Sequence, residues 1–140
     1  MWKLIAISVL LFSLGIIYAI HANHEYQGSV TDANNGDATA SFIKLAEFYF
    51  FLPIAIMHFI LIPWILKKKY SSQVPYLIII FGTISIFVIY MFSKDPDGPG
   101  VPIVHLDTTT DWKDLTSKIL QACLLPLAGY MLHISKTKKP

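Results

Sequence analysis

Four apolar runs separated by polar segments organise the chain. The first extends from Trp2 to Ile20 and is broken only by Lys3 and by two serines, Ser8 and Ser13. A lysine ahead of an apolar stretch is also how a secretory signal begins, but this stretch outruns the roughly 7–15 residues of such a segment. It is read as a retained helix over 2–20. The second run, Phe42 to Leu66, covers about 37 Å at 1.5 Å per residue, enough to cross a bilayer with tilt. Pro53 and Pro63 lie inside it and remove backbone donors, which predicts kinks. Lys67, Lys68 and Lys69 end it.

The third run opens at Val74-Pro75, where proline suits a first helical turn, and is read as a helix over 74–92. The fourth follows a helix-start signal at Thr110-Asp111. Its first turns, with Trp112, Lys113, Asp114 and Lys118, are amphipathic, and the spanning part is read over 115–134. Between these runs lie two polar connections, 21–41 and 93–114, expected as loops. The first carries an Asn-Asn-Gly turn signal, and the second holds the Pro/Gly-rich DPDGPGVP, which admits neither helix nor central strand. The expected fold is all-α: one polytopic four-helix transmembrane domain over 1–140.

Composition agrees with that pattern. The chain is 54% hydrophobic and 14% charged, against about a quarter charged in soluble domains. All eleven basic residues are lysine. Nucleic-acid recognition leans on arginine forks and basic clusters, so that partner class is set aside. The lone Cys123 sits inside an apolar run and is expected as a small buried hydrophobe.

Lysine placement predicts the orientation. Four spans put Lys3, Lys67, Lys68, Lys69, Lys136, Lys138 and Lys139 on one side with no acidic residue. The other side holds all nine acids with Lys44, Lys94, Lys113 and Lys118. Basic residues stay cytoplasmic, which predicts both termini inside a cell membrane and the 21–41 and 93–114 segments outside. Trp64, Tyr70 and Trp112 fall at the expected interfaces, where amphipathic rings belong.

Two constellations carry candidate chemistry. His21, His24 and Glu25 stand at the outer mouth of the first helix. If that helix continues one turn, the two imidazoles share a face, and with the carboxylate they form a donor set suited to copper or zinc. A fourth ligand would come from His105 or an outer aspartate. The alternative is a hydrated helix end with two ordinary histidines. Glu47 and His58 lie on one face of the second helix, about 16 Å apart along its axis. Ionisable groups in a membrane face protein or water, so the face bearing Glu47, Phe51, Ile54 and His58 is expected against protein, either as a proton path or as a structural pairing of Glu47 with Lys44. A haem ligand pair is not expected, because His58 and His133 lie at different depths.

No nucleophile–base set, phosphate loop or Cys-X-X-Cys motif occurs. Helices one and three offer little polar interior, chiefly Ser8, Ser13, Thr83 and Ser85, and no repeat is visible, which disfavours a self-sufficient transporter. The expected function is a non-catalytic accessory subunit among other integral membrane subunits in the lipid bilayer. A small metal-binding subunit using His21, His24 and Glu25, and a small transporter, channel or assembly factor, are the alternatives. In its arginine-free, isoleucine- and lysine-rich style and its outer HANHE segment, the chain resembles the small extra helical subunits of archaeal ammonia monooxygenase, a copper membrane enzyme. The resemblance implies a subunit packed beside copper-bearing ones within an oxidoreductase complex, with no catalytic residue of its own. Accessory subunits of respiratory complexes share the same character.

Overall fold

The computed structural model describes the backbone of residues 1–94 and 112–137. Four helices account for nearly all of it: α1 (Trp2–Asn34), α2 (Ala38–Lys68), α3 (Val74–Lys94) and α4 (Trp112–Thr137). No strand occurs among the described residues. Three of the helices, α1, α2 and α4, are long and apolar enough to cross a membrane. In α3 the apolar stretch with described side chains, Val74–Ile89, is shorter. Of the expected loop 93–114, residues 93–94 and 112–114 are helical, and 95–111, His105 among them, lie outside the described residues.

The largest departure from the sequence reading is the segment 21–41, which is helical almost throughout. α1 runs on to Asn34, and the chain reverses over Asn35, Gly36 and Asp37 before α2 begins at Ala38. The polarity of 21–34 marks a change of surroundings and not the end of the helix. It contains no proline, and Ala22, Glu25, Gln27 and Ala33 suit helix. Ala22 and Ser29, seven residues apart, are buried against α2. At the reversal Gly36 has φ +82°, and the Asp37 carboxylate caps α2 by accepting from Ala40 N at 2.9 Å. The Asn-Asn-Gly signal thus marks a tight helical hairpin.

α1 and α2 pack antiparallel along most of their length. A Cβ on Gly15 would stand 2.9 Å from the Phe59 ring, so glycine sets the closeness of that approach. α4 packs against α1, α3 packs against α4, and α2 and α3 barely touch. The core follows the α1 face Leu4, Ile7, Leu11, Leu14 and Tyr18, with Leu61 and Ile65 of α2, Tyr76 of α3 and Leu124 of α4. The short α2–α3 connection is held locally. Tyr76 donates to the Lys69 carbonyl at 2.6 Å, and the Ser71 hydroxyl donates to the Lys68 carbonyl at 2.6 Å.

α2 is helical through Pro53 and Pro63, and α4 through Pro126. One further expectation is corrected. Cys123 is exposed, on a face of α4 turned away from the neighbouring helices. A thiol is apolar enough to sit there without a partner in an apolar surrounding.

Candidate functional site

The antiparallel register of α1 and α2 sets the level of every outer residue. Ser29 Oγ lies 3.2 Å from Ser41 Oγ, Tyr26 meets Phe48 with ring centroids 5.3 Å apart, and His21 stacks on Phe51 at 5.3 Å. The polar end of α1 therefore runs beside the aromatic start of α2. Lys44 pairs across this hairpin with Asp32 at 2.7 Å. Sequence spacing pointed to Glu47, one turn away, whose charge also acts on Lys44, and the hairpin adds a carboxylate of α1.

The outer histidines have separate surroundings. His21 is half-buried against Phe51, whereas His24 is exposed and donates from Nδ1 to Glu25 Oε1 at 3.3 Å. Among the described residues no three His, Cys, Asp or Glu side chains gather into a group able to hold a metal.

Glu47 and His58 are both buried, at 7% and 8% exposure. Phe51 and Ile54, between them on the same face, pack against the core. His58 Nδ1 donates to the Ile54 carbonyl at 2.7 Å. A carbonyl can only accept, so the neutral imidazole presents Nε2 as an acceptor. The ring also lies 5.5 Å from that of Tyr18.

Tyr18 extends this centre to α4, because Gln121 Nε2 donates to its hydroxyl at 2.6 Å. Gln121 is fully buried, and its Oε1 has no hydrogen-bond partner among the described residues. Sequence reasoning passed over both residues. The available signal was that Gln121 is the sole amide in the apolar part of α4, and buried amides seek protein partners.

Beside this centre, where α2 and α3 diverge, lies a cavity of about 330 Å³. Its walls are almost wholly hydrocarbon, from Leu11, Ile54, Ile79, Ile86 and Leu124 among others. Among the described residues the polar groups on it are His58, Thr83 and Ser85, with no lysine or carboxylate. Thr83 is itself buried, at 4% exposure. His133, in contrast, is exposed near the end of α4.

No family model, curated protein or solved structure matches the chain.

Proposed function

We propose that this chain is a four-span, non-catalytic accessory subunit of a multi-subunit membrane complex, with both termini cytoplasmic. The observation that carries the reading is a mismatch between α1 and α2. The exposed face of α1 is apolar at Ile5, Val9, Phe12, Ile16 and Ile20, and then becomes mixed, with polar His24, Gln27 and Thr31 interleaved with Tyr26 and Val30. That switch is what a helix leaving hydrocarbon requires. The exposed face of α2 makes no such switch at the same level. It reads Ile60, Ile56, Pro53, Tyr49 and Phe42, with Tyr49 64% and Phe42 72% exposed.

Magnitudes separate the explanations. Phe51 lies beside His21, and nine residues of helix from Phe51 to Phe42 rise about 14 Å. The headgroup layer adds only about 5–8 Å per leaflet. Tyr49 is low enough to be an interfacial anchor, and Phe42, about 36 Å from Leu66 at the other end of the apolar run, reaches the outer edge of the headgroup layer. An apolar face of this length, continued beside the polar end of α1, fits protein cover. The fitting partner is another integral membrane subunit whose helix follows α2 across the bilayer.

The orientation is supported by the lysine distribution. It is also supported by Lys3, at the start of α1, which donates to the Tyr130 hydroxyl near the end of α4 and so joins the two terminal regions at one end of the bundle. A copper-dependent ammonia monooxygenase of archaeal type, or a respiratory oxidoreductase, is the class of complex proposed, on the resemblance in sequence character and the outer HANHE segment.

Extraction of the native membrane in mild detergent provides the test. The tagged wild-type chain is expected to bring other integral membrane proteins at fixed stoichiometry, and a Phe42→Lys/Tyr49→Lys variant to insert normally but purify without them. A wild-type chain that runs alone, or a variant that keeps all its partners, overturns the assignment.

A further inference from the structure

The cavity between α2 and α3 has the size and lining of a ligand site. Small-molecule pockets begin near 300 Å³ and combine apolar walls with a few placed polar groups. Here the volume is about 330 Å³ and the placed groups are His58, Thr83 and Ser85. The His58 ring is held in position. Its Nδ1 is committed to the Ile54 carbonyl at 2.7 Å, and its face rests against Tyr18. With Nδ1 committed, the ring nitrogen left for an occupant is Nε2, an acceptor, and Thr83 of α3 is also on the lining.

The lining selects the chemistry of the occupant. Among the described residues of these walls a carboxylate or phosphate would find no lysine, and an ammonium no carboxylate. A plain hydrocarbon chain fills the volume but offers nothing to the imidazole nitrogen that Nδ1 leaves over. A neutral hydroxyl on an apolar body adds that contact by donating to His58 Nε2, and Thr83 on the same lining supplies a second hydroxyl. Since α2 and α3 barely touch, such a molecule can enter sideways, from the hydrocarbon around the bundle.

We propose that this cavity binds an apolar alcohol or phenol drawn from the bilayer, with its hydroxyl on His58 Nε2. The test uses the full chain in liposomes and two photoreactive probes, a long-chain alcohol carrying a diazirine and its methyl ether. The two share a body and differ in the one donor. The alcohol is expected to label α2 and α3 residues of the cavity about five-fold more than the ether, the equivalent of one hydrogen bond near 1 kcal/mol. His58→Leu should abolish that preference. Gly82→Leu should remove labelling by both probes, since Gly82 lines the cavity and an added Cβ there meets no atom within 4 Å. Equal labelling by alcohol and ether in the wild type makes the cavity an acyl-chain groove and overturns the proposal. So does labelling no greater than that of an unrelated membrane protein, or a preference that survives His58→Leu.

Discussion

Gln121 in α4 donates its side-chain amide to the Tyr18 hydroxyl in α1, across 2.6 Å and 103 residues of sequence. The same tyrosine touches His58 of α2, so one phenol ring joins three helices at the centre of an otherwise apolar bundle. Removing the hydroxyl should therefore cost more than its area implies. Tyr18→Phe is expected to destabilise the bundle by about 0.6 kcal/mol, the average for hydrogen bonds between membrane helices, and by no more than about 1.7 kcal/mol. Gln121→Leu should cost no more, because it also removes the unpartnered Oε1. Unfolding from mixed micelles by a denaturing detergent, run on both single variants and the double, measures the coupling. Simple additivity would mean that the hydrogen bond contributes nothing.

The Gly15–Phe59 approach gives a packing prediction with an internal control. Gly15→Leu drives a side chain into the Phe59 ring and should destabilise by about 1–3 kcal/mol or more, by separating α1 from α2. At Gly129 an added Cβ meets nothing within 4 Å, so Gly129→Ala should be neutral or slightly stabilising through its helix propensity. Thermal denaturation of both variants in one detergent compares them directly. Equal stability would show that the close approach is not a constraint.

Backbone conformation at two turns predicts changes of opposite sign. Gly36 has φ +82°, which a side chain opposes, so Gly36→Ala should cost about 1 kcal/mol at the outer hairpin. Lys69 has φ +48° although it carries a side chain. Lys69→Gly should relieve that conformation and raise stability by several tenths of a kcal/mol, at the loss of one positive charge from the α2–α3 connection. The same unfolding assay reads both, and a stabilising Gly36→Ala would contradict the turn geometry.

Topology can be tested at residues that the fold leaves accessible. Ser29 is buried against α2 and is a poor labelling site, whereas Thr31 is exposed on the outer hairpin and Ser71 on the α2–α3 connection. In a Cys123→Ala background, cysteine at Thr31 should react with an impermeant maleimide in intact cells, and cysteine at Ser71 only after lysis. The reverse pattern would invert the orientation.

Much of the architecture was legible from the chain itself. The length of each apolar run determined where helices lie, because a backbone in hydrocarbon must satisfy its own hydrogen bonds and a helix does so locally. The reversal at Asn35–Gly36 and the start of α3 at Val74-Pro75 were legible for the same reason, since turn and cap preferences act over a few residues. Polarity alone misled over 21–34, where it reports the solvent around a helix and not its end. Burial and pairing were decided only in three dimensions. That Lys44 meets Asp32, that Gln121 reaches Tyr18, that Cys123 faces outward, and that α2 stays apolar beside the polar end of α1 all depend on which helix faces meet and in what register. The cavity beside His58 has the same origin, for a void exists only where two helices diverge, and no single segment encodes that divergence.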